Sequence, residues 1–189
     1  MSEEILINIT PMESRVAVVE NGVLQEVHVE RTQRRGIVGN IYKGKIVRVL
    51  PGMQAAFVDI GLDRAAFIHA SEISLREGQA VESIGTLVHE GQSLVVQVTK
   101  DPIGSKGARL TTQLSIPSRY LVYMPRTAHV GISLKIEDEA ERERLKQVVS
   151  DCVAQEGIKE AGGFILRTAA EGAGADEILM DIRYLRRLW

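Results

Sequence analysis

The sequence predicts a mixed α+β fold that contains a small antiparallel β-barrel. Short runs of alternating apolar and polar residues recur through the first two thirds of the chain, and turns rich in glycine and proline separate them. Two longer stretches with helical spacing follow near the end. The chain of 189 residues is 44% hydrophobic and 25% charged, which is typical of a soluble globular protein with one large domain or two small ones.

The first 36 residues predict three short strands, at 5–10, 15–20 and 23–30. Asn21 and Gly22 separate the last two strands, and both residue types tolerate a positive φ. This pair is therefore a strong signal for a β-hairpin.

Residues 37–114 predict five further strands. Turns at Pro51-Gly52 and at 61–63 punctuate them, and a short helical or irregular stretch at 71–91 precedes the fourth strand. Five strands with a longer connection before the fourth are typical of the OB type of Greek-key barrel. Because OB barrels commonly hold oligonucleotides, we expect this stretch to bind single-stranded RNA.

Residues 115–189 predict a module that mixes strands and helices. The patterns indicate a strand at 119–124, a helix at 139–154, a strand at 162–168 and an amphipathic helix at 176–189. The last helix runs into the chain end with neither a glycine cap nor a polar tail. We therefore expect the chain to be part of a longer protein.

Charge alone leaves two interpretations open. The net charge is −2, yet residues 31–50 carry six bases and no acid. Such a stripe suits contacts with RNA phosphates, and it also suits a solvated strand edge that lysine and arginine protect against aggregation.

The compartment is predicted to be the cytoplasm. The chain starts with acidic residues where a secretory signal requires positive charge, and no stretch has the apolar length of a membrane helix. The only cysteine, Cys152, has no partner for a disulfide and falls in a helical pattern, so we expect a reduced, half-buried side chain.

Two phenylalanines are candidates for base stacking. Strand alternation places Phe57 and Val58 on opposite faces of one strand, and Phe67 and Ile68 on opposite faces of the next. If the aliphatic face fills the barrel, both rings point outward on adjacent strands and form a platform for bases. The alternative is that both rings belong to the core, where strand phenylalanines usually lie.

Two other positions are candidates for binding phosphate groups. Lys106 lies in a glycine-containing loop between the last two barrel strands, where it could meet the RNA backbone, although a solvated lysine in a flexible turn would look the same. Arg167 and Thr168 end a predicted strand, and a planar guanidinium beside a hydroxyl matches phosphate oxygens. The alternative for Arg167 is a structural salt bridge with Glu171 or a contact with a helix C-terminus.

The segments YKGKIVRVLPGMQAAFVDIG, AAFIHASEI and EGQSLVVQV together resemble the S-one domain, an RNA-binding OB module named after a ribosomal protein. A glycine in the first strand (Gly44) and the patterns around both phenylalanines match its hallmarks. One residue departs from it, since Ala66 stands where that module usually has glycine.

The whole chain also resembles the amino-terminal part of the bacterial ribonuclease E/G family, through segments such as RRGIVGNIYKGK, KGARLTT, SRYLVYMP and GGFILRTAAEG. The resemblance implies an α/β RNase H-like and 5′-sensor module into which the S-one barrel is inserted. Residues 1–36 would be the hairpin of the RNase H-like subdomain, 37–114 the S-one domain and 115–189 the 5′-sensor, with a DNase-I-like catalytic domain beyond them.

The resemblance also implies roles for individual residues. Those expected to contact RNA are Phe57, Phe67 and Lys106. Those expected to bind a 5′-terminal monophosphate are Arg167 and Thr168, with a main-chain contribution from Val122. Two positions depart from the family: Leu134 replaces an arginine and Ser118 replaces a glycine, which predicts looser phosphate binding.

The parent implied by the resemblance is a magnesium-dependent, single-strand-specific endoribonuclease of ribosomal RNA processing and mRNA decay, expected to be a homo-oligomer. Its magnesium ligands, and the cysteines of a possible zinc link, would lie outside this chain. No Asp-x-Asp, His-x-x-x-His or Cys-x-x-Cys motif occurs here, so we expect no catalytic or metal-binding residue and no nuclease activity of the chain alone. The alternatives are a non-enzymatic S-one RNA-binding factor of translation or the ribosome, and a structural oligomer interface.

Overall fold

The structure, a computed structural model, describes residues 2–74, 83–157 and 162–189. It comprises two compact units, Met1–Ile37 and Val38–Trp189. Within the described ranges, no helix combines the length and the apolar character that a membrane span requires.

The first unit is a three-stranded antiparallel meander of β1 (Glu3–Ile9), β2 (Glu13–Glu20) and β3 (Val23–Arg31), followed by a 3₁₀ turn at Thr32–Arg34. Asn21 and Gly22 join β2 to β3 with φ of 49° and 79°, which confirms the hairpin prediction. The register pairs Ile5 with Val18 and Ile7 with Val16, so these apolar residues share one face. Ile5 and Ile7 are more than half exposed on it.

The second unit begins with the barrel. Its strands are β4 (Ile41–Leu50), β5 (Ala55–Asp59), β6 (Ala66–His69), β7 (Ser93–Lys100) and β8 (Arg109–Thr111), closed in the order β4-β5-β6-β8-β7. Its shorter elements are α1 (Ile84–Leu87) and 3₁₀ turns at Pro51–Met53 and Ala70–Glu72. The five-stranded OB prediction is confirmed. The predicted helical or irregular stretch at 71–91 is confirmed where it is described, and its part at 75–82 lies outside the described residues.

One strand pair differs from the predicted antiparallel barrel, because β6 and β8 run parallel. The other four pairs are antiparallel. A closed ring with an odd number of strands cannot alternate direction all the way around, so at least one pair must be parallel.

The barrel interior is filled by aliphatic residues such as Ile46, Val58, Ile68 and Leu110, none more than 1% exposed. Gly44 faces the same interior. A Cβ at this position would lie 2.5 Å from Cγ1 of Val58 and 3.1 Å from Cγ2 of Ile60. The glycine in the first strand therefore leaves room for the side chains of the second.

The rest of the second unit is a four-stranded sheet with two helices on one face. Its strands are β9 (Ile116–Pro117), β10 (Leu121–Met124), β11 (Val130–Ile132) and β12 (Gly163–Leu166), in the order β11-β12-β10-β9. The helices are α2 (Glu139–Gln155) and α3 (Ala175–Leu188), and a 3₁₀ turn spans Thr168–Ala170. Both predicted helices are confirmed.

The helices and the sheet share a single core, in which Leu121, Phe164, Leu145 and Ile182 are almost fully buried. Cys152 of α2 lies in it with 3% exposure, deeper than the half-buried position predicted, because α3 covers it. Burial raises the pKa of the Cys152 thiol, which therefore stays protonated as a core side chain.

We expect Gly44→Ala to lower the free energy of unfolding by about 1–3 kcal/mol, because the added methyl group displaces packed side chains. Gly52→Ala is the matched control, since a Cβ at Gly52 meets no atom within 4 Å. It should change stability by less than about 0.5 kcal/mol. Urea unfolding followed by circular dichroism measures both, and equal midpoints for the two variants would contradict this account of Gly44.

Candidate nucleic-acid interface

The two phenylalanines lie side by side on the outside of the barrel. Phe57 of β5 pairs directly with Phe67 of β6, and the ring centroids are 6.3 Å apart with planes inclined at 70°. Both rings are half-buried, while their chain neighbours Val58 and Ile68 are completely buried in the barrel. The predicted outward orientation is confirmed, and the core alternative is wrong for both rings.

Cations flank this aromatic pair on both sides. Arg48 of β4 pairs with Phe57, and Arg109 of β8 lies beside Phe67 in the parallel register. Both arginines are exposed. Sequence reasoning included Arg48 only as one base of a stripe and missed Arg109, because the pairing that places Arg109 joins strands 40 residues apart in the chain.

The loop that carries Lys106 is an ordered tight turn. Ile103 and Lys106 exchange two backbone hydrogen bonds, of 3.1 and 2.9 Å, and the Arg64 guanidinium donates to the Gly104 carbonyl. A Cβ on Gly107 would overlap the Ala65 carbonyl oxygen, so the loop lies directly against the start of β6. The exposed Lys106 thus lies in a hydrogen-bonded turn at one end of the barrel, and both interpretations of this lysine stay open.

A second candidate site lies at the end of β12. The Arg167 amide donates to the Tyr120 carbonyl at 2.8 Å, and its guanidinium donates to the Ser118 carbonyl. Thr168 Oγ1 lies 3.0 Å from Ser133 Oγ. An open cavity of about 320 Å³ is lined by Ser133 and by residues 165–169.

Arg167 keeps its charge available. Over the part of the chain that the structure describes, Arg167 makes no ion pair, and the predicted alternative of a salt bridge with Glu171 is not found. Its partner, the Ser118 carbonyl, is neutral. The exposed guanidinium therefore retains both its positive charge and further N–H donors for an anion.

Val122 is placed beside this cavity by the strand register. It lies in β10, opposite Ile165 of β12 on one side and Pro117 of β9 on the other. Ile165 lines the cavity, so Val122 is one strand away from it. The structure thus brings Arg167 and Thr168 together with Ser133, while the backbone of Val122 faces a neighbouring strand on both sides.

An aspartate on α3 holds the turn that supports Arg167. Asp181 accepts hydrogen bonds from Ser118 Oγ at 2.6 Å and from the amides of Tyr120 and Leu121, each at 3.0 Å. Ser118, predicted to weaken the site by replacing a glycine, is therefore part of this anchor. Sequence reasoning missed Asp181, because about 60 residues separate it from the turn.

A second anchor comes from α2. Glu141 accepts a hydrogen bond from the Gly172 amide at 2.8 Å and pairs with Arg144, whose guanidinium also donates to the Ala173 carbonyl at 3.1 Å. The Arg144 contact and then the Gly172 amide lower the pKa of Glu141 to about 2. The carboxylate is therefore ionised at neutral pH and holds the segment after Thr168.

Across the described ranges, no group of three or more His, Cys, Asp or Glu side chains is arranged to hold a metal ion. The groups described above can stack on bases through two rings and can donate hydrogen bonds to anions from arginine, lysine and hydroxyl groups.

Sequence comparison connects both sites with known families. Residues 36–101 match the S1 RNA binding domain, and residues 115–189 match the Ribonuclease E/G family. The aromatic pair and the barrel strands β4 to β7 fall in the first match, whereas β8 lies just beyond it. The cavity beside Arg167 falls in the second match.

Similar proteins are found over the whole chain. Ribonuclease G of Escherichia coli (strain K12) is 58% identical, in an alignment that covers 100% of this chain and 40% of the relative. Ribonuclease G of Haemophilus influenzae is 54% identical over 98% of this chain and 39% of the relative. Ribonuclease E of Escherichia coli (strain K12) is 36% identical, in an alignment that covers 99% of this chain and 18% of the relative. The chain thus spans about two fifths of the length of its ribonuclease G relatives.

Proposed function

Because this chain belongs to the ribonuclease E/G family, we propose that it is the RNA-binding and 5′-end-recognising part of an endoribonuclease that cuts single-stranded RNA. The observation that carries the proposal is the outward-facing pair of Phe57 and Phe67 on a barrel that matches an RNA-binding domain. Outward-facing rings on this face of an OB barrel are a platform on which bases stack.

The inclination of the two rings favours single-stranded over duplex RNA as the ligand. A base that stacks on Phe57 and a base that stacks on Phe67 must follow ring planes 70° apart. Successive bases of a duplex are nearly parallel, so a duplex cannot use both rings. A flexible single strand can turn between the two bases.

Phosphate contacts complete the barrel site in this proposal. Lys106 is exposed at the tip of an ordered loop, where its ammonium group can meet a backbone phosphate. A contact of this kind adds affinity without reading the base sequence.

The cavity beside Arg167 is proposed to bind a 5′-terminal monophosphate. The Arg167 guanidinium, which makes no ion pair within the described residues, matches the phosphate oxygens with its remaining N–H groups. Thr168 and Ser133 hydrogen-bond each other, which leaves one of the two hydroxyls to donate to the phosphate. Val122 is assigned a neighbouring, supporting position. Leu134 is 88% exposed where a family member has arginine, so a single guanidinium serves this site and binding is expected to be modest.

The parent protein is proposed to act in ribosomal RNA processing and mRNA decay in the cytoplasm, a compartment that suits the free thiol of Cys152. Magnesium would activate water for attack on the phosphodiester, and zinc could link subunits. We assign the ligands of both metals to the part of the parent outside this chain, and we expect the chain alone to lack nuclease activity.

We expect Phe57→Ala and Phe67→Ala each to weaken binding of a single-stranded oligonucleotide by roughly 1–3 kcal/mol, the loss of one stacking partner. Lys106→Ala should instead reduce the salt dependence, lowering the slope of log K against log salt by about 0.7–1. Fluorescence anisotropy at several salt concentrations measures both effects.

Tyr184→Ala is the control for the phenylalanine variants, because it removes an aromatic ring that is 56% exposed on α3. It should leave RNA affinity unchanged. Unchanged affinity in both phenylalanine variants, with binding intact in the unsubstituted chain, would refute the stacking platform.

We expect RNA with a 5′-monophosphate to bind about ten- to a hundredfold more tightly than the same RNA with a 5′-hydroxyl, with the observed value near the lower limit. A triphosphate should also bind less well, since its bulk exceeds a site for one phosphate. Arg167→Ala should abolish the preference and leave binding of internal RNA segments nearly intact. The preference is measured by comparing the affinities of matched oligonucleotides that differ only at the 5′ end.

Arg187→Ala, which removes an exposed guanidinium from α3, is the charge-matched control and should keep the preference. Equal affinities for all three ends in the unsubstituted chain would leave Arg167 as a structural residue.

Self-association is also part of the proposal. The strands β1 and β3 are edges of a three-stranded sheet, and its faces expose apolar residues such as Ile5, Ile7 and Val29. Open edges beside apolar surface recruit further chains. We expect sedimentation velocity to show dimers or larger species as protein concentration rises, and a monomer up to millimolar protein would contradict this.

A further inference from the structure

We propose that Gln97, a residue of the barrel, is a positioning residue for the cavity beside Arg167. Its side-chain amide fixes the segment through which the chain leaves the barrel, and that segment leads directly to the turn that holds the Arg167 guanidinium. This role rests on the recognition of a 5′-terminal phosphate proposed for Arg167, and it adds a residue that lies outside the cavity.

Gln97 points away from the barrel interior and is nevertheless buried. In β7 its neighbours Val96 and Val98 are 0% and 1% exposed and fill the barrel, so strand alternation directs Gln97 outward. Even so, only 6% of Gln97 is exposed. An amide buried on the outside of a barrel must be covered by another part of the chain, and its burial is costly unless its polar atoms are hydrogen-bonded.

Each polar atom of the Gln97 side chain has a partner. Its Nε2 donates to the Gly39 carbonyl at 3.0 Å and to the Ser115 carbonyl at 2.8 Å, while its Oε1 accepts from the Ser115 amide at 2.8 Å. Gly39 lies shortly before β4, and Ser115 lies directly before β9. One side chain therefore joins the points at which the chain enters and leaves the barrel, and a fully satisfied buried network of this kind favours one arrangement over others.

A short path connects Gln97 with Arg167. After Ser115 the chain forms β9, which pairs with β10 of the sheet. The next residue, Ser118, accepts a hydrogen bond from the Arg167 guanidinium through its carbonyl. The strand β9 alone thus separates the residue bound by Gln97 from the carbonyl bound by Arg167.

The turn that holds Arg167 is fixed from two directions. Asp181 of α3 binds the turn itself through its carboxylate oxygens, and Gln97 holds the segment that enters it. Beside this segment lies an open groove of about 420 Å³, lined by residues of the barrel, of β9 and of the end of α3. Packing around the junction is therefore incomplete, so the hydrogen bonds of Gln97 determine more of its geometry.

The position of the Ser118 carbonyl matters because a guanidinium binds phosphate through paired, directional hydrogen bonds. A binding site of this type must be held within about 0.5 Å and 10–20° of its productive geometry. Without the amide of Gln97 the segment 115–117 can move, and the orientation of the Arg167 guanidinium then moves with Ser118. The consequence is weaker discrimination of a 5′-phosphate at unchanged charge of the cavity.

The test compares the affinities of matched oligouridines with a 5′-monophosphate and with a 5′-hydroxyl, measured by fluorescence anisotropy. Gln97→Met keeps the length and the unbranched shape of the side chain and removes its amide hydrogen bonds. It should lower the preference for the 5′-monophosphate by about threefold or more. Affinity for the 5′-hydroxyl oligouridine should be unchanged, because β4 and β8 separate β7 from β5 and β6, the strands that carry the phenylalanines.

A second variant, Gln97→Glu, keeps the acceptor for the Ser115 amide, loses at least one of the two N–H donors and should also lower the preference. If Gln97→Met does not fold, this variant decides the test. Gly44→Ala is the matched control, because it destabilises the barrel from its interior and leaves the hydrogen bonds of Gln97 in place. It should keep the preference of the unsubstituted chain, and circular dichroism establishes which variants are folded.

Three outcomes would overturn this role, and they are distinguishable. Folded Gln97 variants that keep the full preference would remove it and leave 5′-end recognition by Arg167 intact. An equal loss of preference in Gly44→Ala would attribute the effect to general destabilisation. If the unsubstituted chain binds both ends equally, the proposed function of the cavity fails, and the role of Gln97 fails with it.

Discussion

The barrel depends on one close approach between two backbone segments. Gly107 lies so near the Ala65 carbonyl that any side chain would overlap it, and the Phe67 amide donates to the Ala108 carbonyl at 2.8 Å immediately beside this contact. The approach allows β8 to pair in parallel with β6, which closes the ring of five strands. Closure buries the aliphatic side chains, and for that reason it also turns Phe57, Phe67 and Arg109 outward.

The sheet module depends in a similar way on contacts between distant segments. Asp181 of α3 binds the turn at 118–121, and that turn supplies the carbonyls that hold Arg167. Glu141 and Arg144 of α2 bind the segment that follows Thr168. The two helices therefore bury the core on one face of the sheet and also hold both sides of the cavity at its edge.

In the proposed function, the two candidate sites recognise different parts of an RNA molecule. The barrel would offer its two aromatic rings to bases along an internal stretch, and its cations would contact the backbone. The cavity beside Arg167 offers a single guanidinium and two hydroxyls, a set that suits one terminal phosphate. An enzyme that used both would read a strand segment and a strand end separately, which explains why each site can be small and open.

The sequence by itself determined the features that depend on neighbouring residues. Alternation along β5 and β6 placed both phenylalanines outside, turn chemistry located the hairpin at Asn21-Gly22, and helical spacing located α2 and α3, because each of these follows from the local backbone geometry. The tertiary structure alone decided the parallel closure of the barrel, the bulges that place Arg48 opposite Phe57 and Lys100 opposite Arg109, and the contacts of Asp181. These join residues far apart in the chain, and a register shift of one residue changes which side chain meets its partner, so periodicity in one strand cannot specify them.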